Sequence, residues 1–413
     1  MICHYAVTIC FYNILYGGRK LPMNSSERHE YRYQRRKEKR EKNKLRRNEQ
    51  LGSLEEIFSY STLFKAGEKC CRGVRWKRSV NNFELHLISG TALRRHEVIN
   101  GTWKGHKGSH FMLAERGKIR PIDAPTVQDR QVHKVITENI LYPLYRPQMI
   151  YDNGASQQGK GLSFSFMRLK THLHRWYRKH GRDGFIVLID LRKFFPSAPH
   201  WAIYNRHQDM IQDGRIRNLC DQVVMDFART SGSSIGMPLG VEPSQAEMVA
   251  LPSIVDNYVK CQLGVKEFAH YMDDYYAIFE TKEQAQSFIE DVHDRFQNKG
   301  LQINRNKCKI IPLTSKFKYC KATFFLTDTG KVVCRGNRDS LKRTRHKMHF
   351  FARQLKEGKM TKDKVAEWYN ASIRGYYMSY NDHNCVLKLN RLYYNIIGGT
   401  LCSKSLKTEP KSA

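Results

Sequence analysis

The residues best suited to chemistry lie in the stretch FAHYMDDYYAIFE, residues 268–280, where Asp273 and Asp274 are adjacent between apolar and aromatic runs. Two neighbouring carboxylates in a hydrophobic hairpin are costly, because each disfavours ionisation of the other and both resist desolvation. A second apolar run, FIVLID, ends in Asp190. If both segments are strands of one sheet, three carboxylates meet at one edge, and bound divalent cations would offset their repulsion. Two Mg²⁺ ions about 4 Å apart form a clamp for in-line phosphoryl transfer, one activating a hydroxyl and one holding the leaving phosphates. An isolated Asp pair reads more simply as a polar turn. Asp190 at the end of an apolar strand, and the runs flanking the pair, favour the metal reading.

Several elements are needed to hold these carboxylates. FIVLID has the uninterrupted apolar character of a buried strand, and a helical stretch is expected from about Ser197. Thr281 and Gln284 form a capping box before a helix whose Phe288, Ile289, Val292 and Phe296 make an apolar stripe, stopped by Gly300. The segment LQIN, 301–304, is predicted as the next strand. A second capping box, Ser244 and Glu247, is expected to open a helix with Met248, Val249, Val255 and Val259 facing inward. Strand, helix, hairpin, helix and strand in this order suit an antiparallel sheet backed by helices. The fold class is thus α+β with a split βαβ sheet rather than a doubly wound parallel one. Upstream, FMLAERGKIRPIDAP reads as a β-hairpin turning at Gly117, and VQDRQVHKVITENILYPL as a helix closing near Pro143. DNGASQQGKGLS is a glycine-punctuated loop.

The 413-residue chain is 40% hydrophobic and 11% aromatic, which argues for a folded protein and against disorder outside the ends. Its 71 Lys and Arg against 39 Asp and Glu give a formal charge of +32. That excess points to a polyanionic partner, nucleic acid before an anionic membrane. Eleven cysteines, among them Cys70, Cys71, Cys220, Cys308 and Cys320, lack zinc-type spacing and read as reduced thiols. The apolar stretch 1–18 lacks a basic n-region and is short for a membrane span of roughly 20 residues. Met23 offers an alternative start. Arg28 to Arg47 is a dense basic run, expected as a mobile arm or solvated helix that contacts RNA. Ordered structure is expected from LGSLEEIF, where Ser53 and Glu56 form a capping box.

YMDD at Tyr271–Asp274, together with DLRKFF at Asp190–Phe195, resembles the catalytic core of reverse transcriptases, and the likeness extends from about residue 51 to 400. The resemblance implies a right-hand polymerase with an arm over 1–50 and fingers over 51–184. The palm would span 185–333, with an interleaved fingers segment near 200–235, and the thumb and tail 334–413. It implies two Mg²⁺ ions, or Mn²⁺, with Asp190, Leu191, Asp273 and Asp274 as the metal set. Phe195, five residues after Asp190, is implied to exclude a ribose 2′-hydroxyl by bulk. Lys118 and Arg120 are implied to close over the triphosphate, a point charge and a bidentate guanidinium suited to phosphate oxygens. Lys307 is implied to protonate the departing pyrophosphate. The implied partners are an RNA template, an RNA or DNA primer, dNTPs, a dedicated non-coding RNA and a small accessory protein. No membrane is implied, and the setting would be the cytoplasm of a bacterial or phage-infected cell.

GMPLGVEPSQAEM refines the resemblance. Many relatives carry Pro-Gln-Gly and then Ser-Pro, where this chain has Pro238-Leu239-Gly240 and then Ser244-Gln245. This pattern is similar to that of diversity-generating retroelement enzymes, which miscopy template adenines; Leu239, Gly240 and Gln245 would then border the incoming nucleotide. An apolar Leu239 cannot hydrogen-bond that nucleotide as Gln would. FKYCKATFF replaces the Phe-Leu-Gly primer-grip turn of many relatives, and the retron signatures Asn-Ala-x-x-His and Val-Thr-Gly are absent. An antiviral defence reverse transcriptase with its own non-coding RNA is the alternative setting. An RNA-binding, maturase-like scaffold is the alternative class. In the basic, aromatic C-terminal region, Phe350, Phe351, Trp368, Tyr376 and Tyr377 are expected as helix-bundle core rather than base-stacking platforms.

Overall fold

The computed structural model describes residues 24–115, 117–380 and 383–398. The apolar stretch before Met23 and the side chains of Tyr376 and Tyr377 lie outside the described residues. The chain divides into two units at Gly52.

The described residues of the first unit form the helix Ser25–Leu51. Regular structure thus begins well before LGSLEEIF, contrary to expectation. Asn24 and Glu27 form a reciprocal capping box that fixes the start, and the Arg, Lys, Glu and Gln that follow are good helix formers. Most side chains along it are exposed, so it is a solvated helix, the second of the two forms anticipated for the basic run.

In the second unit, Ser53 and Glu56 do form their capping box, but it opens only the single turn Leu54–Ile57. Three further helices, Tyr60–Cys71, Arg78–Leu85 and Leu87–Ile99, precede a hairpin of β1 (Ser109–Glu115) and β2 (Lys118–Ala124). Gly117 in its turn has φ 75°, the left-handed region where glycine carries no steric penalty. The helix starting at Val127 does not close at Pro143: it widens to a π-turn over Ile136–Leu141 and stays helical to Gln148. Proline at the start of the new segment needs no intrahelical partner for its missing N–H.

The central sheet is antiparallel, in the order β4 (Phe268–Tyr271), β5 (Asp274–Phe279), β3 (Phe185–Asp190), β6 (Lys309–Pro312). Both faces are covered, which is why FIVLID shows no polar alternation. Val187 and Ile189 face a core with Ile203, Val224, Met248 and Phe296. Ile186 and Leu188 face the helix Leu162–His180, through Leu169 and Leu173, and a second sheet through Phe317 and Phe324. That second sheet is β7 (Phe317–Tyr319), β8 (Ala322–Leu326) and β9 (Val332–Arg335). The segment FKYCKATFF is therefore a tight hairpin, with Cys320 and Lys321 at φ 46° and 69°.

Two further expectations are corrected. LQIN is not a strand: only Ile303 forms a bridge, to Leu191, before a short 3₁₀ turn over Arg305–Lys307. Ser244 does not cap a helix, because the helix already begins at Glu242, with Pro243 in its first turn and no side-chain cap. Ser244 is buried, and Glu247 binds His207 instead of a backbone amide. Pro252 then separates that helix from Ser253–Cys261. The helix Lys282–Gln297 keeps its predicted capping box, with Phe288, Val292 and Phe296 buried.

Beyond the sheets lie the helices Arg338–Lys356, Lys362–Tyr380 and His383–Tyr393. Phe351 is buried against Trp368, with ring centroids 4.9 Å apart, whereas Phe350 is 45% exposed and is not core. Among the described residues no helix is long and apolar enough to cross a membrane.

Candidate active site

Strand pairing brings the three aspartates together. Asp190, the last residue of β3, lies directly across from Asp274, the first residue of β5, and Tyr271 pairs with Asp274 on the other side. Met272 and Asp273 form the two-residue turn between β4 and β5. Met272 adopts φ 55°, a left-handed conformation that costs a bulky residue about 1–2 kcal/mol. The Leu191 amide donates to the Asp273 carbonyl at 3.1 Å, fastening the turn to the end of β3.

Electrostatics mark the cluster as short of positive charge. Burial, then repulsion from Asp273 and Asp190, pushes the Asp274 carboxyl up to about 6. Burial is also the main cause raising Asp273, with Asp190 adding to it. Lys307 answers part of this charge: its Nζ lies 3.1 and 2.9 Å from the two Asp190 oxygens. Among the described residues no three His, Cys, Asp or Glu side chains converge tightly on one point; the Asp190 carboxylate is engaged by Lys307. Partly buried carboxylates with raised proton affinity are nonetheless the donor set that hard divalent cations favour. The Leu191 side chain is buried in the core, so that residue has only its main-chain carbonyl to offer.

Support comes from residues that the sequence reading passed over. His270 Nδ1 donates to the Met272 carbonyl at 3.1 Å, while Nε2 faces buried Asp256 at 2.9 Å. The His270 ring stacks on Tyr275 at 4.5 Å. A histidine on an apolar strand just before YMDD was the available signal. Asn304 is the other omission: its amide donates to the Asp190 carbonyl at 2.8 Å and its side chain reaches Asp190 Oδ2 at 3.4 Å.

A series of backbone bonds ties the remaining predicted residues to this edge. Phe195 is half-buried and edge-on to Phe194, with centroids 5.7 Å apart, and its carbonyl accepts from the Met237 amide at 2.9 Å. Two residues on, the half-buried Leu239 accepts from the Asp123 amide at 2.9 Å, at the base of the β1–β2 hairpin. Gly240 has φ 105°, and a Cβ there would meet the Asp123 carbonyl at 2.7 Å. Gln245 is exposed in the helix Glu242–Ala250. Lys118 and Arg120, two apart on β2, share one face of the hairpin, and the Lys118 charge lowers the Asp273 carboxyl, opposing the burial that raises it. Beside the aspartates opens a cleft of about 560 Å³ lined by Asp190, Asp274, Lys307, Lys309, Lys316 and Lys318.

Carboxylates at the edge of the central sheet, with a basic hairpin acting on them and a lysine-lined cleft alongside, make an arrangement suited to phosphate chemistry. The description Reverse transcriptase (RNA-dependent DNA polymerase) matches residues 105–324, more than half of the chain. The chain belongs to the reverse transcriptase family. No curated protein matches it in sequence. Solved structures that match include telomerase from Candida albicans in complex with a TWJ fragment of telomeric RNA: 11% identity, TM-score 0.44, covering 74% of this chain and 66% of that one. Apo telomerase from Candida tropicalis matches at 12% identity and TM-score 0.45, covering 73% of this chain and 59% of that one. The chain thus spans less than two thirds of these telomerase chains.

Proposed function

We propose that the chain copies RNA into cDNA at the Asp190–Asp273–Asp274 edge, and that it does so with relaxed base selection in a diversity-generating retroelement. The observation that carries the polymerase site is the cross-strand pairing of Asp190 with Asp274, whose burial and charge leave an excess that bound cations would relieve. Asp190, Asp273 and Asp274, with the Leu191 carbonyl, would hold two Mg²⁺ or Mn²⁺ ions. Such ions, when bound, lower the pKa of an attacking hydroxyl and stabilise charge on the phosphates.

The chain's own groups account for the rest. The cleft of Lys309, Lys316 and Lys318 suits the phosphates of the primer strand, delivering its 3′-hydroxyl to the carboxylate edge. Lys118 and Arg120 bind the triphosphate from the hairpin. As the 3′-oxygen loses its proton to solvent and bonds to the α-phosphorus, the bond to the bridging oxygen breaks and Lys307 donates a proton to the departing pyrophosphate. Pairing with Asp190 raises the Lys307 pKa and keeps that proton in place beforehand. Phe195 fills the space a 2′-hydroxyl would need. In this reading residues 51–184 act as fingers, 185–333 as palm with an interleaved segment near 200–235, and 334–413 as thumb and tail.

Leu239 supports the retroelement setting. Its main chain is tied to the fingers hairpin, while its side chain offers no hydrogen bond to a nucleotide, and an apolar site discriminates less than one built on hydrogen bonds. The template would be a dedicated non-coding RNA, and a small accessory protein a further partner. The test sequences cDNA made from a defined RNA at equal dNTP concentrations. Extension should require Mg²⁺ or Mn²⁺ and fall by about a thousandfold or more in Asp273→Ala. Errors should concentrate opposite template adenine and decline in Leu239→Gln. Near-normal extension by Asp273→Ala would overturn the site. A flat, low error spectrum from active wild type would move the role to antiviral defence.

A further inference from the structure

The helix Ser25–Leu51 carries its charges on two separate faces. At about 100° per residue, nine of its eleven Lys and Arg fall within an arc of about 160°: Arg28, Arg32, Arg35, Arg36, Lys39, Arg40, Lys42, Arg46 and Arg47. All five glutamates, Glu27, Glu30, Glu38, Glu41 and Glu49, fall in an arc of about 100° on the opposite side. Lys37 and Lys44 lie on the boundary, and Lys44 is ion-paired with Glu41 at 2.8 Å. A helix that needed charge only for solubility would mix signs around its circumference, because alternating i,i+4 pairs stabilise it. At i,i+4 the helix keeps two opposite-charge spacings, Lys37–Glu41 and Glu38–Lys42, against six between like charges, so like charges predominate side by side. Such an arrangement is favourable when a polyanion lies along one face.

We infer that this basic face docks along the phosphate backbone of double-stranded RNA. The helix is about 40 Å long, and its basic face repeats at every turn, giving a straight, preformed row of cations. A stiff duplex presents phosphates in a regular row that such a face can meet along its whole length, and duplex RNA is recognised largely through backbone and shape. A membrane surface is the poorer occupant, since surface helices need an apolar face, and here Tyr31, Tyr33, Leu45 and Leu51 are not gathered on one side. The inference does not depend on the polymerase reading and is tested without nucleotides.

The experiment compares two variants of the full chain with equal charge loss: Lys39→Gln with Lys42→Gln on the basic face, and Lys37→Gln with Lys44→Gln at its boundary. Binding to an RNA hairpin of about 20 base pairs, longer than the helix, is followed by fluorescence anisotropy across a salt series. Each phosphate contact contributes about 0.9 to the slope of log affinity against log salt. The face pair should therefore reduce the slope by about 2, and the boundary pair should leave it nearly unchanged. Equal reductions, or none from the face pair, would overturn the inference. So would tighter binding to an unpaired RNA of the same length, or loss by the face pair of binding to phosphatidylglycerol vesicles with duplex binding intact. Primer extension on a saturating template, measured separately, reports on the polymerase site alone.

Discussion

The buried contact among His207, Asp221 and Glu247 should make the stability of the fold fall in alkaline solution. His207 Nδ1 lies 2.5 Å from Asp221 Oδ1 and Nε2 lies 2.8 Å from Glu247 Oε1, joining the helices His200–Met210, Gly214–Ser231 and Glu242–Ala250. Burial by itself lowers the His207 pKa, but Glu247 and Asp221 outweigh it and raise the group to about 9. Arg206, Tyr145 and Cys220 complete the charged and titratable surroundings. From an ordinary 6.5 to about 9 is about 2.5 units, and at about 1.4 kcal/mol per unit the protonated form is worth about 3 kcal/mol to the folded state. Because the folded value lies above the unfolded one, this stability is complete below about pH 6.5 and is lost as pH rises through about 9. His207→Gln should therefore cost about 3 kcal/mol at pH 6.5, and the difference from wild type should narrow steadily towards pH 10. Urea denaturation midpoints of both proteins across that range measure it. Parallel curves, with a constant gap between wild type and His207→Gln, would refute the reasoning and reduce the trio to neutral packing.

Phe195→Ala should admit ribonucleotides while retaining part of the dNTP activity, measured as the ratio of kcat/KM for rNTP and dNTP; an unchanged ratio would move the sugar gate to another residue. Gly240→Ala must place a Cβ 2.7 Å from the Asp123 carbonyl at φ 105°. It should lose about 1–3 kcal/mol of stability and raise KM for dNTP, because the hairpin base must move. A variant with wild-type midpoint and KM would show that this turn does not hold the hairpin.

The carboxylate edge was legible because its information is local: an apolar run ending in Asp190 and a hairpin carrying Asp273 and Asp274 have few ways to pair that bury both runs. Binary pattern also announced the helix at Lys282, where capping box and apolar stripe agree. It failed where tertiary contacts overrode a local signature. Ser244 and Glu247 have the spacing of a capping box, but Glu247 is drawn into the buried contact with His207, and Pro243 fits the first helical turn. LQIN has strand-like residues but meets β3 only near its end, where Asn304 turns in to bond Asp190. His270 was missed because its contacts with Met272, Asp256 and Tyr275 are set by the turn and the packing rather than by any sequence pattern, and a lone buried histidine declares no role. The capping box at Asn24 was overshadowed by the charge run that follows it, although it decides where the helix begins.

Several strained backbone positions lie on the segments that frame the proposed site, and the fold explains why they persist. Met272 at the aspartate turn, Lys193 just beyond Asp190, and Cys320 and Lys321 in the hairpin beside the cleft all have positive φ. Each costs of order 1–3 kcal/mol unless neighbours over-determine it. Met272 is held by the His270 bond to its carbonyl, and Lys193 by the Ser197 amide, which donates to the Lys193 carbonyl at 2.8 Å. The Cys320–Lys321 turn sits between Tyr319 and Ala322, both buried. The central sheet, covered on both faces, supplies the rigidity against which such turns can be kept. The cost purchases position: Asp273 projects at the tip of a two-residue turn, and the chain after Asp190 bends at once, so that Phe195 reaches the Met237 amide. Relaxing any of these turns would leave the sheet folded while shifting a carboxylate or the Phe195 ring, so such variants should lose catalysis before they lose stability.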